Sequence, residues 1–335
     1  MRAAGIRALG EPVEIFEVDE VVTPAAGEVL IDVVAAGIGN WDELVRIGSW
    51  QIGGPAPMAL GTEAAGTVAA AGSGVAELRE GDEVMTHPLP LRRHGTWAGR
   101  VLAPAASVAA RPPEASWEAG GAFPIPALTA AQALDEALGI ESGGWVVVNG
   151  AGGVTGGLLV QLAAARRARV IATASAKKVE RIRGYGASEV LDYHGGWPAL
   201  VREITGGGAP KAVNAAPGQA ATTLKAVADG GRLRGGGVDG LGRAAAGDLA
   251  DERRPVAVIV EHLRRAVVAD ALGLLRARGR DHAGAPSRGE LDEQATRDSA
   301  GSVDDDPAAA LDPESLVERL SRSERRNGKR SAGFP

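Results

Sequence analysis

Val146-Val147-Val148-Asn149-Gly150-Ala151-Gly152-Gly153-Val154-Thr155-Gly156-Gly157-Leu158-Leu159-Val160-Gln161-Leu162 decides the fold class of this chain. A β-branched strand runs through a glycine cluster directly into an apolar-periodic helix. Glycines lacking Cβ let the backbone come close to a pyrophosphate, and the helix N-terminus presents free N–H groups and roughly half a positive charge. The spacing departs from G-x-G-x-x-G, because Thr155 stands where the third glycine falls and Gly156 follows it. The context compensates: Arg169-Val170-Ile171-Ala172-Thr173 supplies a second strand at the distance a βαβ unit requires. The stretch reads as a dinucleotide-binding turn, against the plainer alternative of a glycine-rich connection in another α/β domain.

The end of the second strand indicates which dinucleotide. A site for NAD usually closes that strand with Asp or Glu, which accepts the ribose hydroxyls. Here Thr173-Ala174-Ser175-Ala176-Lys177-Lys178 offers hydroxyls and two cations, which suit a 2′-phosphate. One of the two lysines reads as an ordinary solvated residue of a helix's first turn.

Outward from this unit, strands 145–149, 169–173, 189–192, 211–214, 231–234 and 256–260 alternate with apolar helical segments, the pattern of a parallel, doubly wound sheet. Residues 1 to about 115 differ. Val29-Leu30-Ile31-Asp32-Val33-Val34, Ala64-Ala65-Gly66-Thr67-Val68-Ala69 and Glu83-Val84-Met85 are short strands punctuated by Gly and Pro, which predicts a β-rich domain. Leu263, Val267, Ala271, Leu272 and Leu275 predict one late helix. Beyond Arg276 the text is dominated by Arg, Asp, Glu, Ser, Gly and Ala, and predicts poor order apart from a short helix from Pro313 to Leu320.

Composition narrows the function classes. The 335 residues are 45% hydrophobic and 23% charged, ordinary for a globular protein of about two domains. A net charge of −6 with no basic patch before the tail argues against a nucleic-acid surface. No apolar run is long enough for a membrane span, and Met1-Arg2-Ala3-Ala4-Gly5-Ile6-Arg7 lacks the apolar core of a signal peptide, so a cytoplasmic location is expected. With no cysteine, disulfides, thiolate zinc sites and cysteine nucleophiles are excluded. His87, His94, His194, His262 and His282 show no metal-ligand spacing, and no metal site is expected.

With both domains read, the chain resembles the zinc-independent quinone oxidoreductase branch of the medium-chain dehydrogenases and reductases. The resemblance rests on Gly37-Ile38-Gly39-Asn40-Trp41-Asp42 with Arg46 and Gly48, Leu60-Gly61-Thr62-Glu63-Ala64-Ala65-Gly66-Thr67-Val68, Glu80-Gly81-Asp82-Glu83-Val84 and Gly95-Thr96-Trp97-Ala98. Leu128-Thr129-Ala130, the glycine turn and Gly186-Ala187-Ser188-Glu189-Val190-Leu191-Asp192-Tyr193 complete it. It implies a GroES-like β-barrel catalytic domain at 1–118, an NADP-binding Rossmann domain at 119–278 and an atypical tail at 279–335. The nicotinamide would lie between the first two, and a homodimer is a further implication.

Zinc-dependent relatives carry a cysteine near position 39 and a histidine near position 62, where this chain has Gly39 and Thr62. The resemblance therefore implies metal-free reduction, in which NADPH gives hydride directly to a quinone, enone or related carbonyl compound and positioning carries most of the catalysis. By the same resemblance Thr129 lies near the nicotinamide ribose, Gly152, Gly153, Val154 and Thr155 along the pyrophosphate, and Ser175, Lys178 and Tyr193 around the 2′-phosphate. Asn40 and Asp42 are the candidate catalytic side chains, with Asn40 one place later than the family's usual asparagine. Trp41, Trp50, Leu89, Leu91, Arg92 and His94 are expected to line the cleft. Each has a plainer reading: Thr129 as a helix N-cap, Tyr193 as a strand-end packing residue, Asp42 as a structural group.

The match is clear through Gly230-Gly231-Arg232-Leu233 and then stops abruptly. Relatives continue with a Thr- and Ile-rich strand and close with one like Gly-Lys-Val-Val, whereas this chain ends Asn327-Gly328-Lys329-Arg330-Ser331-Ala332-Gly333-Phe334 before Pro335. Such an ending fits an out-of-frame translation of GC-rich DNA. It leaves a second functional class open, a catalytically weak or inactive nucleotide-binding relic with a disrupted C-terminal half. A metal-dependent alcohol dehydrogenase stands third.

Overall fold

The computed structural model describes residues 1–20 and 23–235. The late strand at 256–260, the helix over 263–275, the segment from Pro313 to Leu320 and the tail at 279–335 lie outside the described residues.

The N-terminal half is built from β1 (Arg2–Ile6), β2 (Glu14–Glu17), β3 (Glu28–Ala36), α1 (Asn40–Arg46), β4 (Met58–Ala59), β5 (Ala64–Ala71), β6 (Glu83–Thr86), β7 (Arg100–Pro104) and β8 (Val108–Ala110). One antiparallel sheet runs β7-β3-β5-β6-β8, and a smaller one runs β2-β1-β4. Register shifts between Leu30 and Ile31 and between Val33 and Ala35 bend β3 as it crosses β5, as β-bulges do. Val29, Ile31, Val68, Val84, Val101 and Val108 fill one core, and Ile6, Met58, Leu60, Leu91 and Trp97 fill another beside it. Strands β3 and β5 run where the sequence places them at 29–34 and 64–69, with Val29, Leu30 and Ile31 buried in succession and Val68 packed beside them, β-branched side chains suiting such a packed, pleated surface.

Helices α2 (Trp117–Gly121) and α3 (Pro124–Gln132) lead into the second unit, where Pro124 begins α3 at a position that needs no N–H partner. Then come β9 (Trp145–Asn149), α4 (Val154–Ala165), β10 (Arg169–Ala174), α5 (Val179–Gly184), β11 (Glu189–Asp192), α6 (Trp197–Thr205), β12 (Ala209–Asn214), α7 (Ala220–Leu224) and β13 (Val227–Gly235). The strands form a parallel sheet in the order β11-β10-β9-β12-β13, the doubly wound arrangement expected from the sequence. Val146, Val147 and Val148 are all buried because helices cover both faces, so this strand reads as a continuous apolar run. The order reverses between β9 and β12, and a ligand crevice opens outside the carboxyl ends of strands at such a point.

Candidate functional site

The glycine turn sits at that crevice. Gly150 has φ +86°, and its N–H is held by the Thr173 hydroxyl at 3.0 Å, while the N–H of Ala151 is held by the Thr173 carbonyl at 3.0 Å. Gly153 is the N-cap of α4, so the first-turn N–H groups of that helix face the crevice without helical acceptors. The third glycine of the motif is Gly156 in space: a Cβ there would meet the Gly150 oxygen at 2.1 Å and the Ala151 Cα at 2.7 Å. Val154 is 41% exposed and Thr155 half-buried, both on the first turn of α4. Turn and helix terminus suit a pyrophosphate in shape and in charge.

Two cations converge on the turn. Nζ of Lys178 donates to the Gly152 carbonyl at 3.0 Å, and Nη2 of Arg181 donates to the same oxygen at 3.1 Å. Lys177 is exposed, so Lys178 is the lysine directed at the turn. Ser175 follows the last residue of β10 and Tyr193 the last residue of β11, and the pairing of Ala174 with Asp192 brings the two strand ends side by side. Tyr193 is 49% exposed, with its ring 3.9 Å from that of His194. Thr129 lies half-buried within α3, whose N-cap is Phe123, so it does not cap the helix. Arg181 was missed by sequence reasoning, because only the helical turn of α5 returns it to Gly152.

On the barrel side, Gly39 is the N-cap of α1 and Asp42 the third residue of that helix. The Asp42 carboxylate reaches back to accept the Gly39 N–H at 2.8 Å, and its other oxygen accepts the Thr62 hydroxyl at 3.1 Å. Asp42 is only 3% exposed; burial pushes its carboxyl up to about 7, against both hydrogen bonds, which favour the charged form. Asn40 is exposed at the start of the same helix. The space beside Gly39 is filled by the Trp41 indole: a Cβ at position 39 would lie 2.0 Å from Cε2 of that ring. Neither zinc-ligand position carries a zinc-binding side chain, and among the described residues no cluster of His, Cys, Asp and Glu suits a metal ion.

Two further titratable residues adjoin Thr62. Glu63, 1% exposed, accepts the Ile125 N–H at 2.8 Å and so links the barrel to the start of α3. Burial raises its carboxyl well above the usual range, opposed by the Ile125 N–H and reinforced by the charge of Asp42. Nδ1 of His87 lies 2.7 Å from the Thr62 carbonyl, which can only accept, so that nitrogen carries the proton. Burial, opposed by this bond, holds the His87 pKa down to about 4. The sequence does not reveal that His87 returns to the Thr62 carbonyl, 25 residues away, or that Glu63 reaches the Ile125 N–H.

The expected cleft lining is corrected in part. Leu91 packs in the barrel core with Met58, Leu60 and Trp97, and His94 is enclosed, because the chain turns inward at Gly95 beneath Leu60 and Gly61. Arg92 pairs with Glu28 at 2.7 Å. Trp41, Trp50 and Leu89 remain half-buried.

Comparison with known proteins agrees with this architecture. The alcohol dehydrogenase GroES-like domain family matches residues 25–113. A quinone-oxidoreductase homolog of Spinacia oleracea chloroplasts is 35% identical over 177 residues, covering 51% of this chain and 54% of that protein. The chain thus spans about half the length of this curated relative. An NAD-dependent alcohol dehydrogenase of known structure is 34% identical with a TM-score of 0.63, covering 70% of this chain and 77% of that one. A mycobacterial protein solved in complex with NADPH is 28% identical with a TM-score of 0.63, covering 70% and 73%. By the barrel's family match, the parallel sheet and these relatives together, the chain belongs to the medium-chain dehydrogenase/reductase superfamily as a quinone-oxidoreductase-like member.

Proposed function

We propose that this protein reduces a quinone, enone or related carbonyl compound with NADPH and without zinc. The observation that carries the reading is the pair of cations, Lys178 and Arg181, over a glycine turn whose second strand ends in Ser175 rather than an acid. Their charge favours a 2′-phosphate, which the Ser175 and Tyr193 hydroxyls complete. NADPH, when bound, supplies the hydride. The N–H groups around Gly152, Gly153, Val154 and Thr155 hold the pyrophosphate, and Thr129 meets the nicotinamide ribose. Asn40 and Asp42 serve the substrate end of the cleft. Burial pushes the Asp42 carboxyl up to about 7. This pair can supply the proton a reduced carbonyl oxygen requires if the bond between them reverses, the Asp42 O–H donating to the Thr62 oxygen as the Thr62 hydroxyl gives its proton to the substrate.

Zinc independence rests on Gly39 and Thr62, whose places are taken up by the Trp41 indole and by a hydroxyl committed to Asp42. A panel of quinone, enone and aldehyde acceptors, with NADPH consumption followed by absorbance, tests the reading. Turnover with at least one quinone or enone is expected, and none across the panel overturns it.

A further inference from the structure

The carboxyl ends of the central strands carry a buried polar network that the cofactor reading leaves unused. Asn149 ends β9, Asn214 ends β12 directly beside it in register, and Thr173 lies on β10 one residue past the pairing of Ala172 with Val148. Thr223 comes from α7, and all four side chains are buried. Nδ2 of Asn149 donates to Oδ1 of Asn214 and to Oγ1 of Thr223, each at 2.9 Å, and its Oδ1 accepts the Thr173 hydroxyl at 2.6 Å. Asn149 thereby uses both amide protons and its carbonyl oxygen on side chains.

Each neighbour of Asn149 passes its remaining bonding capacity to backbone at the crevice. Thr173 Oγ1 accepts the Gly150 N–H of the glycine turn. On the other wall, Nδ2 of Asn214 donates to the Ala216 carbonyl at 2.9 Å, and the Thr223 hydroxyl donates to the Gln219 carbonyl at 2.9 Å. The two walls touch where a Cβ on Gly150 would lie 3.0 Å from the Ala215 carbonyl carbon and the Ala216 nitrogen. Burying four polar side chains among Val147, Val148 and Val213 adds little net stability over an apolar set of the same shape, but it fixes one geometry, since every broken bond leaves an unpaired buried group.

We propose that Asn149 is a positioning residue for the dinucleotide, acting through Thr173 on the glycine turn and through Asn214 and Thr223 on the 215–219 loop to set the separation of the two crevice walls. This rests on the reading that the crevice binds a nicotinamide dinucleotide. The network meets the part common to both cofactors, the pyrophosphate end, so its effect is the same for NADPH and NADH.

Dissociation constants of NADPH and NADH, measured by fluorescence titration of the full chain, test this alongside thermal midpoints. Thr173→Val, nearly isosteric, and Asn149→Leu are each expected to raise both constants about tenfold and in equal proportion. In turnover, KM for the cofactor is expected to rise by more than kcat falls. Thr223→Val removes the loop-side partner of Asn149 while leaving the Thr173–Asn149 bond in place, so it guards against misfolding of the other two, and a several-fold rise in both constants is expected. Folded variants with unchanged constants, or with a loss confined to NADPH, overturn the positioning role. Wild-type protein that binds neither nucleotide overturns instead the oxidoreductase reading on which the proposal stands.

Discussion

The Thr62 hydroxyl donates to Oδ1 of Asp42 across 3.1 Å in a site with no cationic side chain on either residue. A buried acid satisfied only by neutral donors keeps its proton to higher pH than an exposed one. This single relationship ties a proposed catalytic side chain to the stability of the barrel.

Folding stability should show it. Asp42 ionises near 3.8 when exposed and near 7 when folded, so its contribution is complete below the lower value and is lost as pH rises through the upper one. His87 has the opposite sign, its contribution being lost as pH falls from 6.5 towards about 4. Urea titrations at several pH values remove the His87 part by difference. The stability of Asp42→Asn relative to wild type should climb between pH 4 and 7 by at most about 1.4 kcal/mol per unit. A difference that stays flat over this window refutes the raised acid.

Cofactor choice should respond to charge at the turn. Lys178→Glu is expected to weaken NADPH binding by about 1–3 kcal/mol while leaving NADH nearly unaffected. Arg181→Gln should act in the same direction and less strongly, because the Arg181 side chain is the more exposed of the two. Equal affinity of the wild type for both cofactors contradicts the 2′-phosphate site.

Metal removal offers a separate check. Turnover should survive EDTA and gain nothing from added zinc, since the Trp41 indole fills the space at Gly39 and the Thr62 hydroxyl is committed to Asp42. Activity lost to the chelator and restored by zinc would point to the metal-dependent class.

Adjacent glycines of α4 should behave oppositely. Alanine at 156 gains about 1 kcal/mol of helix propensity but drives its Cβ into the Gly150 oxygen, a backbone overlap whose cost of about 1–3 kcal/mol exceeds the gain. Alanine at 157 meets the edge of the Tyr185 ring at 3.1 Å and no backbone atom nearer than the Ala151 oxygen at 3.8 Å, so a small shift of the ring suffices and the helix gain should prevail. Thermal midpoints of the two variants, compared with NADPH affinity, decide it: Gly156→Ala should lose both, and Gly157→Ala neither.

The sequence by itself determined the parallel sheet, the position of the glycine turn between β9 and α4 and the β-rich first half, because each depends on local periodicity and on glycines at fixed offsets. Strands at 145–149 and 189–192 coincide with the expected bounds. Strand β1 was not legible, since Arg2-Ala3-Ala4-Gly5-Ile6 owes its conformation to pairing with β2 and β4 rather than to its own residues. The family register singles out Lys178, whose Nζ meets the Gly152 carbonyl, while Arg181 needed the turn of α5 to bring it to the same oxygen. Only the tertiary structure decided that Asp42 meets Thr62, that Glu63 reaches Ile125, and that Asn149 joins three strands and a helix. Those partners are 20, 62 and up to 74 residues apart, and side-chain hydrogen bonds across such distances leave no periodic trace in the chain.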